Sequence, residues 1–282
     1  MVAGKYGRMR VAMKIALVGY GEVGQIFARE LLAGGADEVR AYDILLAQPE
    51  RSAAHRAAAE RDGVKLAGSA AEAADGADVV ISAVTAASVK DVAKEASGYL
   101  KEGQFFFDIN SASPGTKTEA AGMVTPTGAA YVEGAVMAPV PGPGIKVSIL
   151  GGGPRAEDLA PKLNALGMNI RPVSREYGRA SAMKLCRSIM IKGLEALIVD
   201  CAKAAKSWNV EDEVFGSLTE SFPSIDWPKL AVTMAGRVNQ HGVRRGAEMR
   251  EAGMMLADLG MVEDLAVAVA AAQERGAGKA GK

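Results

Sequence analysis

The sequence predicts an α/β fold, a doubly wound and mostly parallel sheet followed by an all-helical C-terminal domain. Three observations predict it. The 282 residues are enough for two hydrophobic cores. Up to about residue 175, short apolar runs alternate with helical patterns, as parallel strands joined by crossover helices require. From Glu176 onward only helical patterns remain. The predicted domains are therefore 1–175, which contains the sheet, and 176–282, which is helical.

The first element is a strand, a glycine turn and a helix. Lys14–Val18 is apolar and too short for a helix, and the sequence GYGEVG follows it at 19–24. In a G-x-G-x-x-G turn the first glycine permits the tight bend, the second lets the backbone approach a pyrophosphate, and the third packs the helix against the strand. The helix N-terminus adds N–H donors and a partial positive charge. The segment therefore predicts a Rossmann-type dinucleotide site formed by Gly19, Tyr20, Gly21, Glu22, Val23 and Gly24.

Asp43 ends the second predicted strand, Glu38–Tyr42, at about the distance that the dinucleotide pattern requires. A carboxylate at this point accepts hydrogen bonds from the ribose hydroxyls and repels a 2′-phosphate, which predicts NAD as the cofactor. Arg51 stands in the following segment and could reach a phosphate, so NADP stays open. The plainer alternative is that Asp43 only ends a strand and begins a turn.

Two further predicted strands lead into possible site residues. Asp78–Val84 is a continuous apolar run, and the loop after it would pass below the riboses of a dinucleotide or form an ordinary capped turn. The candidate cofactor residues there are Val84 and Thr85. The strand Gln104–Ile109 ends in a polar segment that either leads into the N-cap of a helix at Pro114 or holds a substrate carboxylate or hydroxyl. The candidate substrate residues there are Asn110, Ser111 and Ala112.

The long helical pattern at Arg179–Trp208 is apolar on most sides, which predicts a centrally buried helix. It nevertheless contains Lys184 and Lys192, and Ser188 and Glu195 share their face. A buried lysine is uncommon because an ammonium group is costly to desolvate. Such a lysine snorkels to the surface, pairs with Glu195, or serves as a general acid/base whose pKa burial lowers toward neutrality.

Composition argues against several classes of protein. The net charge is zero and the basic residues are scattered, so nothing predicts a nucleic-acid partner. No apolar run is long enough to predict a membrane span. Cys186 and Cys201 would lie ~22 Å apart along one helix, too far for a disulfide, which predicts reduced thiols and a cytoplasmic protein. Two distant histidines predict no metal site.

Further helical patterns occupy Val210–Glu220, Trp227–Gln240, Gly242–Gly260 and Val262–Glu274. They carry many Met and Val residues, and this much apolar surface in a small domain predicts a homodimer or larger homo-oligomer through the helical domain. Arg245 follows the predicted helix junction at Gly242. It is either solvated or, in a dimer, binds an anionic substrate group in the partner's site.

Three motifs resemble the β-hydroxyacid dehydrogenase superfamily, the relatives of 6-phosphogluconate and 3-hydroxyisobutyrate dehydrogenases. They are GYGEVG at 19–24, DINSASP at 108–114 and YGRASAMKLCRS at 177–188. The resemblance implies a cofactor motif, a substrate motif and a catalytic lysine, Lys184. Residues 220–251 resemble a subgroup with a helical C-terminal domain of unknown function. The chain departs from the family pattern at Ser188, where Asn is usual, and at 137–139, where a serine–glycine–glycine motif is usual.

These features predict an NAD(P)-dependent dehydrogenase or reductase that transfers a hydride between the nicotinamide and a small hydroxy acid, alcohol or corresponding aldehyde. Lys184 would exchange the proton of the substrate hydroxyl, while Ser111 and Ser188 would orient the substrate. An imine reductase of the same architecture is an alternative, although its lysine position is usually filled otherwise. A nucleotide-binding protein without catalysis is the other alternative.

Overall fold

The computed structural model of the protein describes residues 11–278 and divides into two compact units, one ending at Lys184 and the other beginning at Leu185. The first unit contains an eight-stranded sheet. Its strands are β1 Val11–Val18, β2 Ala36–Tyr42, β3 Lys65–Leu66, β4 Val79–Ser82, β5 Phe105–Asp108, β6 Ala130–Val136, β7 Ser148–Gly152 and β8 Asn169–Ser174. Their order across the sheet is β3-β2-β1-β4-β5-β6-β7-β8. Neighbouring strands run parallel except β6 and β7, which are antiparallel. The predicted fold class is confirmed.

Helices connect the strands, except that a loop joins β6 to β7, and helices also form most of the described chain after β8. The helices of the first unit are α1 Glu22–Gly34, α2 Pro49–Asp62, α3 Ala70–Ala74, α4 Val89–Ala96, α5 Pro114–Val124 and α6 Ala156–Ala165. Helix α7, Arg179–Trp208, begins in the first unit and continues into the second, and it is followed by α8 Glu211–Ser221, α9 Trp227–Asp258 and α10 Asp264–Gly276. The predicted domain boundary at residue 175 stays a prediction, and the division between the units falls inside α7.

Both faces of the sheet are buried, because successive side chains of a strand point to opposite faces. In β1, Ile15 and Leu17 belong to one apolar core, which α1, α2 and α6 cover. Ala16 and Val18 belong to the other core, which α3, α4 and α5 cover. The continuous apolar run of β4 divides in the same way, with Ile81 in the first core and Val80 in the second. Two covered faces leave the ends of the strands as the exposed part of the sheet, where a ligand can bind.

Helix α9 corrects one prediction. The two helices predicted at Trp227–Gln240 and Gly242–Gly260 are one continuous helix of 32 residues. Gly242 lies inside α9 and is buried, and a Cβ atom at this position would overlap the main-chain oxygen of Gln273 in α10. The glycine therefore permits two helices to pack closely, and it does not break the helix.

Helix α7 corrects a second prediction. The sequence predicts a helix that is buried on most sides, but Met190 and Leu197 are each 70% exposed. Only one side of its C-terminal half is buried, where Ile198 and Val199 pack in an apolar cluster with Trp227 of α9. The thiols of α7, at residues 186 and 201, are free. Within residues 11–278, no helix is long and apolar enough to cross a bilayer.

Candidate functional site

The glycine turn joins β1 to α1, and each of its glycines has a separate reason. Gly19 has φ +99°, and a Cβ atom on it would overlap the main-chain oxygen of Ala83. A Cβ atom on Gly24 would overlap the main-chain oxygen of Gly19, so the third glycine brings α1 close to the turn. Gly21 is exposed, and a Cβ atom on it would meet nothing within 4 Å. The open space beside Gly21, at the N-terminus of α1, fits the pyrophosphate of a dinucleotide.

The side chains of the other turn residues differ in what they can contact. Tyr20 is fully buried in the core with Phe27, and burial, with a smaller effect of Asp62, raises the pKa of its phenol to about 12. Tyr20 can therefore contact a cofactor only through its backbone. Glu22 is exposed and Val23 is half-buried at the start of α1, beside the space next to Gly21.

Asp43 follows β2, and its carboxylate accepts hydrogen bonds from two turns. Its Oδ2 accepts a hydrogen bond of 2.7 Å from the N–H of Tyr20, and its Oδ1 accepts one of 2.9 Å from the N–H of Leu45. The carboxylate therefore begins a turn, as in the plainer sequence interpretation, and it also lies against the glycine turn. A carboxylate has about four acceptor sites, so capacity remains for ribose hydroxyls. Arg51 is exposed on α2, with Nη1 3.4 Å from Oε1 of Gln48.

Asn110 links the carboxyl ends of β4 and β5. Its Oδ1 accepts a hydrogen bond of 2.6 Å from the N–H of Val84, and its Nδ2 donates to the Oγ of Ser82 at 3.0 Å and to Oδ1 of Asp108 at 2.6 Å. The buried amide is thus engaged by protein on both sides, which is a positioning role; a substrate contact by Asn110 stays a prediction. Thr85 is exposed, and its Oγ1 lies 3.0 Å from the Oγ of Ser88.

Of the other two residues predicted after β5, only Ser111 is accessible. The methyl group of Ala112 is 2% exposed and packs in the core against α4 and α5, so a substrate could meet only its backbone. Ser113 confirms the N-cap interpretation of this segment, because its Oγ accepts a hydrogen bond from the N–H of Thr116. Ser111 is half-buried, and its Oγ accepts a hydrogen bond from Nζ of Lys184.

Lys184 reaches Ser111 from the first part of α7. The lysine is itself half-buried. Ser111 follows β5, and the glycine turn follows β1, which runs parallel to β5 through β4. The carboxyl ends of parallel strands lie at one edge of a sheet. The lysine–serine pair and the glycine turn are therefore at the same edge of the first unit.

A buried ionic network that the sequence interpretation missed lies below this edge. Nζ of Lys117 is 2.7 Å from Oδ1 of Asp108, and the two side chains are 0% and 1% exposed. Lys117 also donates to the main-chain oxygen of Asp108 at 2.9 Å, and the hydroxyl of Tyr131 donates to Oδ2 at 2.7 Å. Burial, and then the charge of Asp108, raise the pKa of Tyr131 well above its usual value. The sequence signal that could have revealed this network is a lysine, Lys117, on the apolar face of α5 next to Ala120 and Ala121.

The second unit has its own buried cluster on α7 and α9. Nζ of Lys192 lies 3.1 Å from Oε1 of Glu248 and donates to the Oγ of Ser188 at 3.0 Å, and Ser188 donates to Glu248 at 2.6 Å. Burial lowers the pKa of Lys192, while Glu248 opposes that effect. The pairing of a buried lysine with Glu195 is therefore wrong, since Lys192 pairs with Glu248. The substrate contact predicted for Ser188 stays a prediction.

Arg245 is paired inside the same unit. Its Nε donates to Oε2 of Glu195 at 2.9 Å, and its Nη2 donates to Oε1 of the same carboxylate. Glu195 is fully buried, and Nε2 of Gln273 also donates to it. Arg245 thus neutralises a buried carboxylate, and binding of a substrate anion in trans stays a prediction.

Two family models match this chain. Residues 14–111 match the family described as NADP oxidoreductase, coenzyme F420-dependent. Residues 205–276 match a domain of unknown function, DUF1932. The first match contains the glycine turn and Ser111, and the second lies in the helical unit. The first supports a fold that binds a nicotinamide cofactor.

Solved structures cover nearly the whole chain. A conserved hypothetical protein from Sinorhizobium meliloti 1021 is 37% identical, with a TM-score of 0.80 over 96% of this chain and 90% of its own. A conserved protein of unknown function, described as similar to 3-hydroxyacid dehydrogenases, is 28% identical, with a TM-score of 0.75 over 94% and 98%. The 3-hydroxyisobutyrate dehydrogenase of Mycobacterium tuberculosis, in complex with L-serine, is 19% identical, with a TM-score of 0.75 over 94% and 93%.

The fold is shared more widely than the chemistry. An imine reductase of Streptomyces aurantiacus has a TM-score of 0.55 over 93% of both chains at 21% identity, which is a likeness of fold alone. A combination of three features is more specific than the fold alone. These features are the oxidoreductase domain, the helical domain of unknown function and the hydroxyacid dehydrogenase architecture. The chain therefore combines an NADP oxidoreductase domain with a DUF1932 domain, as is typical of 3-hydroxyisobutyrate dehydrogenase-like proteins, and it has the architecture of the 3-hydroxyacid dehydrogenases with a helical C-terminal domain.

Proposed function

We propose that this oxidoreductase is an NAD(P)-dependent dehydrogenase or reductase that acts on a small hydroxy acid, alcohol or corresponding aldehyde. The observation that carries the proposal is the hydrogen bond from Nζ of Lys184 to the Oγ of Ser111 at the carboxyl edge of the sheet. An amine and a hydroxyl in contact can bind a substrate hydroxyl or carbonyl oxygen and exchange a proton with it.

Lys184 is the proposed general acid/base. In oxidation it takes the proton of the substrate hydroxyl, and in reduction it returns a proton to the carbonyl oxygen. Ser111 orients the substrate oxygen, because its hydroxyl accepts from the lysine and can donate to a second oxygen. A bound nicotinamide supplies the acceptor or donor of the hydride. Asn110 holds the loop, and the further proposed substrate contacts are Asn110, Ala112, Ser188 and Arg245.

NAD is the proposed cofactor. The residues proposed to hold it are the six of the glycine turn together with Asp43, Val84 and Thr85. Asp43 supports NAD because a 2′-phosphate ~4 Å from its carboxylate is penalised by ~1 kcal/mol even in water. The carboxylate of Asp43 already accepts hydrogen bonds from two N–H groups, which reduce its repulsion of a phosphate. We therefore expect NADP to bind, but more weakly than NAD.

A homodimer or larger homo-oligomer through the helical domain is the proposed assembly. Exposed large apolar side chains are concentrated in the second unit, and they include Met190, Leu197, Val232, Val243 and Leu265. Met190 and Leu197 are seven residues apart on α7, so they lie on one side of that helix. We take a second copy of the chain as the partner, because symmetric self-association is the commonest way to cover such a surface.

The substitution Lys184→Met tests the proposed chemistry. The variant keeps an apolar side chain of similar length, so we expect kcat to fall by ~10²–10⁴-fold on a small hydroxy acid found by screening. Cofactor affinity is expected to persist, since the glycine turn belongs to other elements. Lys203→Met removes an exposed lysine from the same helix and is the matched control.

The screen includes cyclic imines, so that the alternatives are separated. A variant that keeps nearly normal kcat on the authentic substrate would refute the role of Lys184 and make Lys192 the next candidate. Turnover of imines that is insensitive to Lys184→Met would favour an imine reductase. Cofactor binding without turnover of any compound would favour the non-catalytic alternative.

A further inference from the structure

A buried carboxylate in the centre of the sheet, that of Glu133, is not used by the proposed chemistry. Glu133 lies in β6, in register with Asp108 on the parallel strand β5 and with Gly152 on the antiparallel strand β7. Residues in register on neighbouring strands point to the same face of a sheet, so the two carboxylates share one face. Glu133 is fully buried, and such a position requires strong partners.

Those partners are at the beginning of α7. Oε1 of Glu133 accepts a hydrogen bond of 3.0 Å from the N–H of Ala180, and Oε2 accepts one of 2.8 Å from the Oγ of Ser181. A carboxylate at a helix N-terminus satisfies a free N–H group and interacts favourably with the helix dipole. Gly152 makes room for this contact, since a Cβ atom there would overlap the carboxylate of Glu133.

The charges of this region explain why Glu133 depends on the helix. Asp108 and Glu133 are both acidic, and the buried Lys117 contacts Asp108 directly. The direct hydrogen-bond partners of the Glu133 carboxyl group are the donors at the N-terminus of α7. Burial raises the pKa of Glu133, while Lys117 and the donors on α7 oppose that effect.

Both partners of the lysine–serine hydrogen bond therefore depend on the neighbouring strands β5 and β6. Lys184 is four residues after Ala180, one turn along α7 and about 6 Å along its axis. Ser111 follows the strand that carries Asp108, the register partner of Glu133. We propose that Glu133 is a positioning residue, which fixes the first turn of α7 and so sets the distance of Lys184 from Ser111. The proposal rests on the proposed role of Lys184.

Two variants of the full chain test it. Glu133→Gln keeps the size of the side chain and removes its charge, and Ser181→Ala removes one of the two donors. Arg179→Ala is the matched control, because Arg179 is exposed in the same turn and forms its ion pair with Glu176. A displacement of about 1 Å can cost ~10²-fold in rate, so we expect kcat to fall by about 10- to 100-fold in Glu133→Gln and less in Ser181→Ala. KM and cofactor Kd should change by less than about twofold.

A second readout follows Lys184 without turnover. Reductive methylation with ¹³C-formaldehyde labels the lysines, and the resonance that is missing in Lys184→Met is assigned to Lys184. Its chemical shift should move in Glu133→Gln and Ser181→Ala and stay unchanged in Arg179→Ala. A general loss of folding would instead alter many lysine resonances.

The outcomes separate this inference from the proposed function. An inactive Lys184→Met together with normal kcat and an unmoved resonance in both test variants overturns the positioning role and leaves the proposed function intact. A moved resonance with normal kcat also overturns it, because the positioning would then have no consequence for catalysis. An active Lys184→Met overturns the proposed function, and the positioning role with it. If Glu133→Gln does not fold, Ser181→Ala decides by the same two readouts.

Discussion

The buried pair of Lys117 and Asp108 gives a prediction whose size follows from its burial. The substitution Lys117→Met keeps the apolar stem of the side chain and removes the ammonium group that lies 2.7 Å from Oδ1 of Asp108. Asp108 is 1% exposed, so water cannot replace the lost partner. A charge that is buried without a counter-charge is strongly destabilising.

Removing one partner of a buried ion pair costs about 3–5 kcal/mol. We expect the lower part of this range, because Asp108 would still accept hydrogen bonds from Tyr131 and Asn110. The loss is a large fraction of the ~5–15 kcal/mol that stabilises an ordinary folded protein. The double variant Lys117→Met with Asp108→Asn keeps an acceptor oxygen at residue 108 and leaves neither member of the pair charged, so it should recover much of the loss.

The assay has to follow the first unit separately. Both tryptophans of the chain, Trp208 and Trp227, belong to the second unit, so their fluorescence reports that unit. Hydrogen exchange at the amides of β5 and β6 as a function of urea reports the sheet. Lys101→Met is the control, because its ion pair with Asp75 is about 70% exposed on both sides and solvent-exposed pairs contribute little to stability.

Two results would refute the reasoning. If β5 and β6 in Lys117→Met exchange at the same rate as in Lys101→Met, the buried pair does not stabilise the sheet. A double variant that is less stable than Lys117→Met would show that the uncompensated charge is not the cause of the loss. Either result would remove the physical basis for treating this buried pair as a stabilising element of the sheet.

Three further predictions concern the cofactor, the assembly and the helical unit. Titration should give a lower Kd for NAD than for NADP, and the reverse order would mean that a nearby cation overrides Asp43. Leu197→Glu should shift the mass found by light scattering from oligomer to monomer at micromolar concentration, whereas a monomeric wild type would contradict the proposed assembly. Lys192→Met should lower the free energy of unfolding, followed by tryptophan fluorescence, by about 3–5 kcal/mol, and the double variant Lys192→Met with Glu248→Leu should recover most of this loss. Equal losses in the single and the double variant would contradict the prediction.

Features that depend on neighbours in the sequence were predictable. The alternation of apolar runs and helical patterns determined the sheet, because strand and helix periods are local properties of the chain. The turn at 19–24 was readable for the same reason, since its glycines act within one strand–turn–helix unit. The end of a strand also identifies residues at the carboxyl edge, which brought Ser111 into consideration before its contact with Lys184 was known.

Only the tertiary structure decided which distant side chains meet. Glu133 bonds the backbone of a residue 47 positions later, and that contact depends on strand order and on where α7 begins. Gly242 resembled a helix break because the chain segment that requires it, around Gln273, is remote in sequence. The roles of Asn110 and Lys192 were likewise set by their partners: a polar side chain can bind a ligand or support the fold, and its residue type is the same in both cases. Periodicity records which face is apolar, whereas the partner of a buried charge is determined by the packing of the whole chain.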